Sequence, residues 1–134
     1  MMFWAPFITG VVIGGATVGL MAVGGVLRQR GTWATTMVAI ASFYVVFAIQ
    51  TGDMTEIIIH AGLVAGFVTL AVIGAWKWSW ILAVALLGHG IFDISVGLVV
   101  SNPAPNWWGP FCLGMDAVLA LALAAMLWRG PALD

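Results

Sequence analysis

Three pairs of polar side chains interrupt the apolar segments of this chain. The members of each pair are four residues apart: Glu56 and His60, His89 and Asp93, and Cys112 and Asp116. Residues four apart share one face of a helix, so each helix presents one polar face. A carboxyl group at the centre of a membrane helix costs about 3 kcal/mol and normally faces the protein interior or a water-filled cavity. We therefore expect the three faces to meet in one buried cluster.

Acid–base catalysis is the first chemistry that such a cluster could perform. A carboxylic acid in a site of low dielectric can hold a proton at neutral pH, and an imidazole can accept or return one. This combination suits isomerisation, cyclisation or epoxide opening of an apolar isoprenoid or lipid-like substrate. We expect Asp93 or Asp116 to donate the proton and His89 to act as base or relay. Glu56 and His60 would form a second relay, and no cofactor is expected.

The surroundings of the cluster are predicted to be aromatic. Aromatic rings can shelter a cationic intermediate through their π faces. The residues expected to line the pocket are Phe43, Tyr44, Phe47, Phe92, Trp107, Trp108 and Phe111. Gly88, Gly90 and Gly97 flank the polar pair of the fourth segment and would allow a neighbouring helix or a ligand to approach. No lysine or arginine lies near Asp116, so its partner is predicted to be one of the two histidines.

A metal site is the alternative use of the same residues. Two histidines and several carboxylates on facing helices match the ligands of zinc or iron. The ligands would be Glu56, His60, His89, Asp93 and Asp116. A metal-dependent hydrolase or a metal or proton transporter would follow. A transporter is the weaker form, because the polar residues stop near mid-membrane and no path continues to the other face.

The elements that carry these residues are predicted to be membrane-spanning helices. The chain has 134 residues, of which 63% are hydrophobic and only 7% are charged, whereas soluble domains are about 25% charged. This composition excludes a soluble globular domain, and the fold class is an all-α bundle forming a single domain. A span needs about 20 apolar residues. Five segments meet or approach that length: 3–27, 32–49, 54–76, 78–100 and 107–128.

The basic residues predict the orientation of this bundle. Arg28, Arg30, Lys77 and Arg129 all fall in the first loop, the third loop and the C-terminal segment. Loops rich in Lys and Arg stay on the cytoplasmic side, so the N-terminus is expected outside and the C-terminus inside. The polar pairs then lie toward the outer face, in what we expect to be a bacterial inner membrane. No basic surface indicates nucleic-acid binding, and the eight tryptophans stand at span ends, where interfacial rings are favoured.

The first helix contains two consecutive GxxxG stretches of small residues. Gly10 and Gly14, and then Gly15 and Gly19, have GxxxG spacing, which lets helix backbones approach closely in lipid. Two uses are open. The glycines could form a homodimer contact, or they could pack against the other helices of the same chain, which is the favoured interpretation.

The last third of the chain resembles a known sequence pattern. Residues 88–93 read GHGIFD, residues 105–112 read PNWWGPFC, and Asp116 follows four residues later. This resembles the G-H-x-x-(W/F)-D … P-x-W-(Y/W)-x-x-F-C-x-x-x-D pattern of small, uncharacterised multi-pass bacterial membrane proteins, and the resemblance implies no activity. The H-x-x-x-acid pair in a five-span chain is also similar, more loosely, to the eukaryotic sterol Δ8–Δ7 isomerases, which protonate an alkene. This chain is shorter and has Asp where that group has Glu.

Overall fold

The computed structural model describes residues 3–134 and is all-α over that range. Its helices are α1 (Trp4–Val23), α2 (Arg30–Thr51), α3 (Met54–Trp76), α4 (Trp80–Val99) and α5 (Trp108–Arg129). All five are long and apolar enough to cross a membrane. The predicted all-α class is therefore confirmed for the described residues, and the helices that could span a membrane number the predicted five.

The end of α1 differs most from its predicted span. The helix stops at Val23, although apolar residues continue to Leu27. Gly25 takes a positive φ of 72°, and its N–H donates to the carbonyl of Ala22 (3.2 Å) while the N–H of Val26 donates to that of Met21 (3.0 Å). This pair of bonds is the glycine-based helix stop known as the Schellman motif. Hydropathy extends past the stop because the turn itself is apolar.

The remaining boundaries lie close to the prediction. Helix α3 has the predicted bounds, whereas α2 extends two residues beyond its predicted span at each end. Helix α2 ends at Thr51, and the C-cap residue Gly52 has a φ of 73°. The Asp53 side chain then accepts a hydrogen bond from the N–H of Thr55 (2.8 Å), the N-cap geometry that satisfies a free helix donor. Asp53 is therefore a helix cap outside the cluster.

Glycines set the contact between α1 and α5. A Cβ at Gly10 would overlap the backbone carbonyl of Phe111, and one at Gly114 would overlap that of Phe7. The first GxxxG stretch is thus used within the chain, as the favoured interpretation predicted. Gly15 and Gly19 have open space where a Cβ would stand, so the homodimer contact stays a prediction for that second stretch.

Helix α5 also packs against α4, and two further glycines allow this contact. A Cβ at Gly109 would lie 2.7 Å from the carbonyl oxygen of Asp93, and one at Gly90 would lie 3.1 Å from the Cβ of Asp116. The two backbones therefore approach most closely where the polar residues stand. Gly88, by contrast, faces open space. Helix α4 in turn packs against α3, and α3 against α2.

The four basic residues gather at one end of the bundle. The Arg30 guanidinium donates to the carbonyl of Ala75 (3.3 Å). The Arg28 guanidinium donates to the carbonyl of Pro131 (2.5 Å). The C-terminal segment pairs with the first loop there, since the Arg30 N–H donates to the Asp134 carbonyl (2.9 Å). We refer to this end as the basic end and to the opposite one as the neutral end.

Two of the tryptophans stand at helix ends, as predicted, but their rings are buried within the protein. Trp33 is fully buried at the start of α2, and its indole N–H donates to the carbonyl of Leu27 (2.8 Å). Trp108 is nearly buried at the start of α5. Both rings stand at the ends of spans but face inward, which position along the chain alone does not reveal.

Candidate functional site

The central group of the site joins α4 and α5 through one imidazole. The Nδ1 atom of His89 lies 2.8 Å from Oδ2 of Asp116 and 3.0 Å from Oδ2 of Asp93. The direction of the ring N–H favours the bond to Asp116, which confirms a histidine as the partner of that carboxyl. All three side chains are at most 2% exposed. We call these three residues the His–Asp–Asp cluster.

The charge balance of this cluster is unusual. Within residues 3–134, no lysine or arginine pairs with either carboxyl group. With both carboxyls ionised and His89 neutral, the cluster would carry two uncompensated negative charges, and burying an ion costs several kcal/mol. Neutrality requires two further protons, shared among the imidazole and the two carboxyl groups. The cluster therefore has the composition of a buried proton store.

Several polar atoms of the cluster have no hydrogen-bond partner among the described residues. They include Oδ1 of Asp93 and of Asp116, and Nε2 of His89, the ring nitrogen that does not face the carboxyls. Buried polar atoms are normally paired, and the exceptions often belong to functional sites. These atoms have unused capacity to bind a ligand or an ordered water.

Two further buried groups lie beside Asp93, at the edge of the cluster. The hydroxyl of Tyr44 and the thiol of Cys112 both lie close enough to its carboxyl to interact with it, although the Tyr44 hydroxyl forms no hydrogen bond of good geometry. Cys112 is completely buried and packs with Tyr44 and Trp108. A buried free cysteine commonly behaves as a small hydrophobic residue, which agrees with that position.

Glu56 and His60 form a separate pair on α3. The Nε2 atom of His60 is 3.5 Å from Oε2 of Glu56 and 3.1 Å from the carbonyl oxygen of Ser101. A carbonyl only accepts, so Nε2 carries the hydrogen in that bond, and Nδ1 is left without a partner. The pair therefore ties the start of α3 to the loop between α4 and α5.

Tyr44 lies between this pair and the His–Asp–Asp cluster. Its ring stacks on that of His60, with centroids 5.6 Å apart and planes 16° apart. It meets His89 edge to face, with centroids 6.3 Å apart. The two histidines are thus separated by an aromatic ring, and a direct proton transfer between them would have to pass the Tyr44 hydroxyl or a water.

The aromatic residues predicted to line the pocket are connected to one another at the neutral end. Tyr44 contacts Phe92 (5.4 Å between centroids), and Phe47 contacts Trp108 (4.9 Å). Trp108 continues the chain of contacts to Trp107, Phe111 and Phe43. The outer rings are partly exposed, Trp107 by 49% and Phe43 by 45%. Of the predicted rings, Tyr44 and Phe92 reach the His89 side chain.

Phe67 is a site residue that the sequence analysis did not identify. Its ring meets that of His89 edge to face at 4.8 Å and that of Phe92 at 5.7 Å. A signal was available, because Phe67 follows His60 by seven residues and therefore lies on the same face of α3. The aromatic residues predicted for the site were instead those that lie near polar residues in the sequence.

The five residues proposed as metal ligands do not converge on one point. Only the His–Asp–Asp cluster brings three potential ligand atoms within 4.8 Å of one another in the described structure. Glu56 and His60 stand apart from it, on the other side of Tyr44. A metal bound at the cluster would therefore have one nitrogen and two carboxyl groups as its ligands.

Comparisons with known proteins leave the site to be judged by its geometry. No family model, no curated protein and no solved structure matches the chain. The resemblance to the small bacterial membrane proteins and the looser likeness to the sterol isomerases thus stay predictions. Function is inferred below from the buried cluster and its surroundings.

Proposed function

We propose that this protein is a small integral-membrane enzyme that performs acid–base chemistry on an apolar, isoprenoid or lipid-like substrate. One observation carries the proposal: a single imidazole nitrogen lies within hydrogen-bonding distance of two buried carboxyl groups. Such a group can release a proton at one oxygen and recover it through the ring without contact with bulk water.

Each residue of the cluster has a defined part in this chemistry. Asp93, whose carboxyl has no good hydrogen bond, gives its proton to one carbon of a substrate alkene. The π electron pair forms the new C–H bond, and the adjacent carbon becomes cationic. Neutral His89 then accepts a proton from the next carbon at its free Nε2 and passes its Nδ1 proton to Asp93, 3.0 Å away, which restores the acid and completes an isomerisation. Asp116 orients the imidazole and balances its charge.

The aromatic surroundings support a cationic intermediate. The rings of Tyr44 and Phe92 lie beside the cluster, and aromatic faces attract cations by about 0.5 to 2 kcal/mol each. The same intermediate could close a ring or, when the substrate is an epoxide, be formed by ring opening. Isomerisation, cyclisation and epoxide opening therefore share one proton-donating step.

The test is deuterium transfer from solvent to substrate. The purified protein in lipid nanodiscs is incubated in D₂O with a panel of isoprenoid alkenes and epoxides, and products are analysed by mass spectrometry. We expect the wild type to incorporate solvent deuterium into carbon of at least one alkene, or to convert at least one epoxide to a ring-opened product. Asp93→Asn and Asp116→Asn should each lower the rate by about 100-fold or more, the usual contribution of a general acid or base.

Matched controls separate chemistry from folding. Asp53→Asn replaces an exposed carboxylate with another good helix cap and should leave the rate unchanged. In every variant, Cys112 should stay protected from a water-soluble maleimide until the protein is denatured, because the thiol is buried. Full activity of both folded Asp variants, or neither deuterium incorporation into an alkene nor opening of an epoxide across the panel, would contradict the proposal.

A metal site is the second candidate, favoured by the mutual distances within the cluster. One histidine and two carboxyl groups with free Oδ1 atoms fit zinc or iron, and three protein ligands would leave a coordination position open for water. Bound metal would supply an activated water, as in a hydrolase. Elemental analysis of protein purified without chelator decides between the two. About one metal per chain in the wild type, lost in Asp116→Asn, would favour this candidate.

We further propose the orientation with the N-terminus outside and the basic end in the cytoplasm, as in a bacterial inner membrane. Its support is the gathering of all four basic residues at one end of the bundle, combined with the retention of basic loops on the cytoplasmic side. The aromatic side of the site then lies in the outer half of the membrane.

A further inference from the structure

A groove runs along the outside of the bundle between α3 and α4. It has a volume of about 660 Å³ and an almost wholly apolar lining, which includes Phe67, Ile73, Val84 and Gly88. Pockets of about 300 to 1,000 Å³ are typical of sites for small ligands. Because the groove lies on the lipid-facing surface of two membrane-spanning helices, its occupant must come from the bilayer.

One end of this groove reaches the His–Asp–Asp cluster. Phe67 and Gly88 line that end, and the Phe67 ring packs against the His89 ring at 4.8 Å. Gly88 leaves open space beside His89, where any larger side chain would fill the groove. The Phe67 ring is therefore the wall between the groove and an imidazole whose Nε2 has no partner.

The other end of the groove opens onto a cationic pocket. Trp78 and Trp80 line both the groove and a neighbouring pocket of about 350 Å³ at the basic end. Arg30 and Lys77 line that second pocket. Within the described residues, neither cation forms an ion pair with a carboxylate. The pocket therefore offers two positive charges beside an apolar channel, and Asp134 lies next to Arg30 at its edge.

The geometry points to a single-chain amphiphile as the occupant, and we propose that it carries a phosphate head group and an unsaturated hydrocarbon chain. The head would bind between Arg30 and Lys77, and the chain would follow the groove toward Phe67. Trp80 and Gly88 are eight residues apart on α4, so the chain runs about 12 Å before it reaches the cluster. The proposal rests on the proposed function only in making this ligand the substrate, because binding itself requires no reaction.

Photo-crosslinking tests the binding directly. Two probes share one long alkyl chain with a diazirine near its middle, and one ends in a phosphate and the other in a hydroxyl group. The protein is held in phosphatidylcholine nanodiscs, irradiated, digested and mapped by mass spectrometry. We expect the phosphate probe to label the groove segments of α3 and α4 about fivefold more than the alcohol, the difference expected for one cation near a membrane surface. Lys77→Gln should reduce this preference, and Lys77→Gln combined with Arg30→Gln should abolish it.

Two glycine variants separate the groove from general lipid contact. Gly88→Leu fills the groove, and the Cβ meets open space, so labelling should fall by at least about fivefold without loss of the fold. Gly66→Leu also extends into open space but lies outside the groove lining, and labelling should stay unchanged. Protection of Cys112 from maleimide again verifies folding.

The competing outcomes overturn the proposal. Equal labelling by the two probes, or unchanged labelling of folded Gly88→Leu, would show that the groove holds bilayer lipid without selection. Displacement of the phosphate probe by an equal mole fraction of two-chain phosphatidylglycerol would assign the groove to an ordinary membrane lipid. Selective labelling without any deuterium incorporation would support the groove and contradict the enzyme, so the two proposals can fail separately.

Discussion

Because His89 is held between two carboxyl groups, replacing Asp116 with asparagine is more informative than truncating it to alanine. Asn at position 116 keeps the shape of the side chain and can still accept from Nδ1 of His89, while it removes the ionisable oxygen that now lies 2.8 Å away. Alanine would instead leave a void and an unpaired imidazole, a combination that destabilises most buried sites. The neutral isosteres therefore measure charge and proton content and leave packing nearly unchanged.

At the same scale, Trp33 provides a test of the fold. Trp33→Phe removes the indole donor of a buried bond to the carbonyl of Leu27 (2.8 Å), and an unsatisfied buried acceptor costs about 1 to 3 kcal/mol. We expect a lower midpoint of unfolding in a detergent denaturation series. Trp128→Phe is the control, since that ring is 82% exposed and its loss should change stability by less than about 0.5 kcal/mol. Equal effects of both changes would refute the bond's contribution.

Spacing predicted the individual residues of the site better than their partners. The four-residue interval correctly placed His89 and Asp93 on one helix face, and the scarcity of basic residues limited the partner of Asp116 to a histidine. Which histidine it is depends on which helices are neighbours. Sequence spacing carries no information on that point, because α5 could in principle have packed against α3.

At the scale of elements, glycines decide which helices touch. Gly114 of α5 faces the carbonyl of Phe7, and no room exists for a Cβ. Gly114→Ala should therefore destabilise the protein by about 1 to 3 kcal/mol, the usual penalty for overpacking, measured as a lower midpoint of unfolding in a detergent series. Gly15→Ala, whose added methyl meets open space, is the matched control and should not destabilise. If the two alanine variants unfold together, α1 does not cross α5 at this point.

Helix boundaries and helix neighbours were predictable to different degrees. Hydropathy alone located every span to within a few residues, because the apolar runs are long and the breaks polar. Hydropathy extended the predicted first span beyond the end of α1, because the helix stop at Gly25 depends on backbone geometry. Phe67 could be identified as a site residue only from the packing of α3, which turns its His60 face toward α4. The seven-residue spacing predicts that His60 and Phe67 share a face, but it does not predict which helix packs against that face.

For the whole molecule, the proposed orientation is testable with single cysteines. In a Cys112→Ala background, Gln29→Cys lies at the basic end and Asn106→Cys at the neutral end, and both native residues are exposed. A membrane-impermeant maleimide added to intact cells should label position 106 rapidly and position 29 only after the membrane is opened, because basic loops stay in the cytoplasm. The reverse pattern would invert the protein and place the aromatic side of the site inside.

The pairing of the first and the last helix has a consequence for biosynthesis. Among the described residues, α1 packs closely against α5 alone, and α5 ends 106 residues after α1 does, at Arg129 instead of Val23. At about 5 to 20 residues per second, the ribosome needs on the order of 5 to 20 s to supply that partner. Throughout this interval the glycine face of α1 is open to lipid or to any passing helix. A membrane chaperone that binds nascent α1 would cover this face during the interval in which a new chain is most prone to mispair.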